Sequence, residues 1–256
     1  MTQPFEITDR GTPVITAAIH SGHRMRQDTA ALCALAEATR LREEDPFTAQ
    51  IADIGTSRIA VQTSRFEVDL NRSRESAVYL DPDEAWGLRV WHQPPGSSVV
   101  ESSRELHDVF YESVAGLLER TLSDHERVIV LDIHSYNHRR RGPEMPPADV
   151  EENPEVNLGT RTLDRVLWGP VADSFIGMML ERGFDVRENV KFGGGYFSQF
   201  VNDFAPGRAC ALAIEFKKTF MDEWTGEADQ AALGRIRDAL VGCSAPLVAA
   251  AHEVGG

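Results

Sequence analysis

Four runs rich in valine and isoleucine break an otherwise helical pattern along the chain: 13–20 (PVITAAIH), 57–63 (SRIAVQT), 127–134 (RVIVLDIH) and 209–216 (ACALAIEF). Continuous apolar stretches of this length read as strands buried on both faces. Between them the apolar positions recur every three or four residues, as on one face of a helix. The clearest case is 102–122, where Leu106, Val109, Phe110, Val114, Leu117 and Leu118 form a stripe and Ser102 and Glu105 have capping-box spacing. Further helices are expected at 28–40, 170–182 and 228–252. This alternation predicts one α/β domain over 1–256, a mixed, mostly parallel sheet with helices on both faces. Residues 136–160 have four prolines and little periodicity, which predicts a long loop suited to act as a lid.

Composition narrows the class of function. With 26 Lys plus Arg against 40 Asp plus Glu, the formal charge of −14 argues against nucleic acid or an anionic membrane as partner. Three widely spaced cysteines, Cys33, Cys210 and Cys243, fit a reducing cytoplasm and exclude a disulfide framework. No apolar run approaches the roughly 20 residues of a membrane span. The first residues, MTQPFEITDRG, lack the pattern of a signal peptide, so a soluble cytoplasmic protein is expected.

Three of the strand-like runs end in a strong polar group: His20, His134 and Glu215. The carboxyl edge of an α/β sheet is where ligands gather. Two imidazoles held by rigid strands suit a zinc ion, whose catalytic sites use three protein ligands and an open position. The third ligand can come from His23, three residues after His20, or from the acidic cluster Glu43-Glu44-Asp45. Asp132, two residues before His134, shares its sheet face and can orient an imidazole. In SRFEVDLNR, 64–72, alternation of Phe66, Val68 and Leu70 with Arg65, Glu67, Asp69 and Asn71 predicts an extended segment, and its arginines suit a carboxylate. In KFGGGYF, 191–197, three glycines predict a turn that approaches a ligand closely, with Tyr196 at its rim.

The motifs IHSGH, EEDPFT, SRFEVDLNR, LDIHSY, VNLGT, GGGYF and IEFKK, in this order, resemble the N-formylglutamate amidohydrolase family, related to zinc carboxypeptidases and aspartoacylases. The resemblance spans about 13–220 and implies a phosphorylase/hydrolase-like fold akin to zinc-dependent exopeptidases. It further implies Zn2+ held by His20, His134 and Asp45, with Glu44 adjacent and His23 standing where the carboxypeptidase relatives carry the glutamate of H-x-x-E. Asn71 and Arg72 match the pair that binds the substrate carboxylate, with Tyr196 beside them. Arg65 resembles the arginine that polarises the scissile carbonyl, and Glu215 the general base. The implied substrate is a small anionic N-acyl amino acid, N-formylglutamate above others. A further arginine, from Arg74, Arg139 to Arg141 or Arg161, would select an acidic side chain. A carboxypeptidase or cell-wall peptide amidase is the alternative within hydrolases, and a non-catalytic binder of a metal or anionic metabolite the alternative outside them.

Overall fold

The computed structural model describes residues 3–255. Seven strands form one mixed sheet: β1 (Phe5–Thr8), β2 (Val14–Ala18), β3 (Ser57–Val61), β4 (Val128–Tyr136), β5 (Val156–Gly159), β6 (Val186–Glu188) and β7 (Ala209–Lys217), in the order β1-β3-β2-β4-β7-β5-β6. The centre, β3-β2-β4-β7, is parallel, and β1 and β5 join it antiparallel. The helices are α1 (Gln27–Leu32), α2 (Glu37–Glu43), α3 (Thr48–Ile51), α4 (Ser97–Asp124), α5 (Gly169–Glu181), α6 (Tyr196–Phe204) and α7 (Gln230–His252). The chain is thus a single α/β domain with helices on both faces. Among the described residues no helix is long and apolar enough to cross a membrane.

Strand alternation divides the core. Ile129, Leu131 and Ile133 of β4, with Cys210, Leu212 and Ile214 of β7, pack beneath α5 and α7 against Phe175, Met179 and Leu240. Val128 and Val130, with Ala209 and Ala211, pack on the other face against Phe110, Val114 and Leu117 of α4 and Phe197 of α6. Continued by two residues at a time, this second face carries Asp132 and His134 on β4 and Ala213 and Glu215 on β7, paired in register. Apolar cover ends where those polar groups begin, and the small Ala213 leaves space among them.

Several expected elements are redrawn. The helix expected at 28–40 is two short ones, because Cys33 bridges Trp91 and Ala34 N–H donates to Val90 O at 2.8 Å, pulling the chain out of helix. The helix expected at 102–122 begins at Ser97, directly after Gly96, so Ser102 and Glu105 lie inside it and form no capping box. SRFEVDLNR is not extended. It winds through turns closed by Glu67 N to Ser64 O (3.0 Å) and Arg72 N to Asp69 O (3.2 Å), which buries Glu67 and Asp69 with the apolar residues. The expected loop at 136–160 keeps an irregular middle, but its ends are strand: Tyr136 closes β4, and Val156–Gly159 is β5.

Candidate active site

A concave pocket of about 320 Å³ opens at the carboxyl ends of β2, β4 and β7. His20, Asp45, Arg65, Asn71, Asp132, His134 and Glu215 all line it. His20 follows β2 by two residues, where the chain turns, and its carbonyl accepts from Asp45 N–H at 3.0 Å. That bond brings the α2–α3 connection to the sheet edge. The turn is completed by Thr48 Oγ1, which donates to Asp45 O at 2.6 Å, and by Phe47 in the left-handed region (φ 67°). A bulky side chain there is a strained arrangement, held beside the buried carboxylate of Asp45.

Ligand atoms of His20, Asp45 and His134 lie within 4.8 Å of one another, and all three residues are buried. Asp45 Oδ2 is 3.1 Å from His134 Nδ1 and 3.5 Å from His20 Nδ1, while Ser135 Oγ donates to Asp45 Oδ1 at 3.1 Å. The far ring nitrogens meet carboxylates too. His20 Nε2 donates to Asp69 Oδ1 at 2.7 Å, and His134 Nε2 lies 2.9 Å from Asp132 Oδ1, off the line of a good hydrogen bond. Both oxygens of Asp132 are buried without a hydrogen-bond partner.

This donor set fits a metal ion. Imidazoles that bind a metal through one nitrogen commonly give the other N–H to a carboxylate, which fixes tautomer and orientation. With Nε2 protonated toward Asp69 and Asp132, the two Nδ1 lone pairs and Asp45 Oδ2 converge, and only a cation or protons relieve that crowding of acceptors. Two histidines and a carboxylate make a set that zinc accepts. Burial works against charge on His134, yet Asp132 and Asp45 hold its pKa well above the ordinary value. Asp45, despite its burial, is held below the usual carboxylate range by its bonds to both histidines. A proton on His134 therefore stands in for a cation.

Glu215 faces the same pocket from β7. Burial pushes its carboxyl up to about 8, with His134 opposing and Asp45 and Asp132 adding. Asp69 is the hub on the opposite wall. It accepts from His20, from Asn71 N (2.9 Å), from Arg65 Nη2 (2.8 Å) and from Tyr79 OH; burial is the largest influence and raises its pKa, but Arg65, followed by His20, holds it well below the ordinary carboxylate value. Arg65 also stacks on the Trp86 ring at 4.8 Å. Trp86 is itself left-handed (φ 54°), half-exposed and part of the pocket wall. Nothing in the alternation of the sequence marked Trp86 or Tyr79 as site residues.

The alternatives for the third ligand separate cleanly. Glu44 points away, accepting from Ser64 Oγ and His23 Nδ1, and His23 Nε2 in turn accepts from Arg40 at 3.2 Å. Neither residue joins the cluster of converging ligand atoms. Two expected substrate contacts are likewise elsewhere. Arg72 does not line the pocket, because Glu84 O takes its Nη2 at 2.5 Å and the Tyr79 ring lies 4.6 Å beneath its guanidinium. Tyr196 packs on Tyr111 (5.3 Å) and His107 (5.9 Å) of α4, outside the lining.

The glycines before Tyr196 do line the pocket. Asn71 Oδ1 accepts from Phe197 N at 3.0 Å, and a Cβ on Gly195 would stand 2.3 Å from that oxygen, so only glycine lets α6 start against Asn71. Of the arginines considered for an acidic side chain, Arg140 reaches the lining and pairs with Glu43 at 3.3 Å, whereas Arg74 is spent on Glu101 and Asp108 at the surface.

A family model for N-formylglutamate amidohydrolase matches residues 12–221. Among solved structures, an N-formylglutamate amidohydrolase from Ralstonia eutropha JMP134 is similar with a TM-score of 0.74 at 17% identity, covering 97% of this chain and 98% of that one. A gene product of Agrobacterium tumefaciens gives 0.72 at 15% identity, covering 97% and 96%. No curated protein matches the chain. At such identities the structural likeness speaks for the fold alone. The family model spans most of the sequence, and by it the chain belongs to the N-formylglutamate amidohydrolase family.

Proposed function

We propose that this chain is a zinc-dependent amidohydrolase that cleaves a small N-acyl amino acid, N-formyl-L-glutamate to formate and glutamate being the favoured reaction. The observation that carries the reading is the convergence of His20 Nδ1, His134 Nδ1 and Asp45 Oδ2 beside Glu215 in one pocket. The family membership supports the amide-hydrolase chemistry. A pocket of about 320 Å³ also suits a small acylated amino acid better than a long peptide.

His20, Asp45 and His134 would hold the metal, which when bound supplies a Lewis acid and lowers the pKa of water to about 7. Positive charge at that triad favours the ionised form of Glu215. Glu215 then takes a proton from the attacking water and returns it to the nitrogen as the C–N bond breaks, leaving formate and the free amine. Arg65, fixed by Asp69 and Tyr79, offers its remaining N–H groups to the oxyanion that develops on the carbonyl. Asn71 has its carbonyl oxygen tied to Phe197 N, which leaves its amide N–H groups for the substrate carboxylate. Arg72 serves this site indirectly, by bracing Tyr79 from above.

The test is formate release from N-formylglutamate by protein supplied with zinc, compared with amine release from short peptides. The proposal expects turnover of the former. Activity on peptides alone, or on no amide across a panel of acyl amino acids, contradicts it.

A further inference from the structure

Four basic side chains line the pocket: Arg65, Arg140, Lys191 and Lys218. Three are already committed. Arg65 is neutralised by Asp69 at 2.8 Å, and Arg140 by Glu43 at 3.3 Å. Lys218 is fully buried and donates to the carbonyls of Arg42 and Glu44, both at 2.6 Å, so it clamps the segment that carries Asp45.

Lys191 differs from all three. Its Nζ donates to the neutral amide oxygen of Asn153 at 2.7 Å and sits 5.3 Å over the Tyr136 ring, and among the described residues it forms no ion pair. Its place is set by the backbone. Asn157, buried on β5 opposite Glu215, accepts from Lys191 N at 2.8 Å and from Phe192 N at 3.3 Å. The side chain is therefore presented from an anchored loop at the head of the glycine run, on the pocket wall. Partial burial lowers its pKa, and an incoming carboxylate offsets that cost.

We infer that Lys191 receives a carboxylate of the substrate remote from the scissile amide, and so makes the enzyme selective for acidic acyl amino acids. The inference rests on the function proposed above. A lone lysine acts as a point charge without the bidentate geometry of arginine. It is the uncommitted positive charge in a pocket whose other walls carry Glu43, Asp45, Asp132 and Glu215.

The experiment is steady-state kinetics of the zinc-supplied protein and its Lys191→Met and Lys191→Arg variants on three substrates: N-formylglutamate, N-formylglutamine and the α-amide of N-formylglutamate. Lys191→Met should lose roughly 10- to 100-fold in kcat/KM on N-formylglutamate, mainly through KM, as expected for one charge-assisted hydrogen bond. Lys191→Arg should recover most of it. Insensitivity of N-formylglutamine to the change assigns Lys191 to the side-chain carboxylate and supports the inference, whereas insensitivity of the α-amide alone assigns it to the α-carboxylate, which every N-acyl amino acid carries, and overturns it. Equal loss on all three substrates, or no loss on any, overturns it. Thermal stability of Lys191→Met should fall only slightly, through the loss of the Nζ bond to Asn153, because the bonds to Asn157 that place the loop use the backbone. A wild-type protein inactive on all three substrates removes the proposed function first, and the inference with it.

Discussion

Two histidine–carboxylate pairs lie side by side in this protein, built from residues close in sequence: His20 with Asp45, and His23 with Glu44. They have opposite hydrogen-bond economies. Glu44 accepts from Ser64 and His23 and has the Arg40 guanidinium 3.7 Å away, and His23 is satisfied at both nitrogens. That network closes on itself. Asp45 instead meets one nitrogen of each imidazole, while the far nitrogen of His20 is hydrogen-bonded to Asp69 and that of His134 lies 2.9 Å from Asp132. Acceptors outnumber donors there, and buried acceptors without donors cost stability. A surplus of donors makes a structural ion pair, whereas a surplus of converging acceptors makes a cation site.

Three substitutions and a change of pH separate the pairs further. Glu215→Gln should lower kcat by roughly 10²- to 10⁴-fold, the usual contribution of a general base, while zinc content measured on the purified protein stays at wild type. Asp69→Asn should weaken zinc affinity by roughly 10- to 100-fold, the scale found for carboxylates behind metal-binding histidines, as measured by competition with a chelator. His23→Asn should leave zinc affinity and kcat unchanged and cost about 0.5–1.5 kcal/mol of stability in chemical denaturation, one net hydrogen bond.

The smallest effect is one of pH. In metal-free protein, His134 is held well above its ordinary 6.5 by Asp132 and Asp45 against its burial, and burial raises Glu215 from 4.5 to about 8. The native state then holds more protons than the unfolded chain over that range, so stability falls as pH rises. His134 contributes fully below 6.5 and is lost as pH climbs through its raised value, and Glu215 acts in the same direction up to about 8. Asp45, held low, opposes them only below its ordinary 3.8. Zinc should therefore raise the melting temperature more at pH 8 than at pH 6, which calorimetry with and without metal checks.

The four central strands were legible because parallel strands buried on both faces are continuous apolar runs, and their polar ends named His20, His134 and Glu215. The short strands β1, β5 and β6 were not, since three or four residues carry too little periodicity. Asp45 came from a family pattern rather than from its own neighbourhood, where Glu44 is an equally good carboxylate. Which of the two points inward is decided by the left-handed turn at Phe47 and the clamp of Lys218, both long-range outcomes. SRFEVDLNR misled for a related reason. Its alternation suggested an extended segment, but the chain turns beneath Tyr79, so Asp69 is buried as a hub and Arg72 is drawn to Glu84.

The claim that Asp45, and not its neighbour, completes a cation site is tested most directly by titrating zinc into chelator-treated protein by calorimetry, for the wild type, Asp45→Asn and Glu44→Gln. One zinc per chain is expected for the wild type and for Glu44→Gln, with tight binding lost in Asp45→Asn. Unchanged binding in Asp45→Asn, or loss confined to Glu44→Gln, would contradict the account.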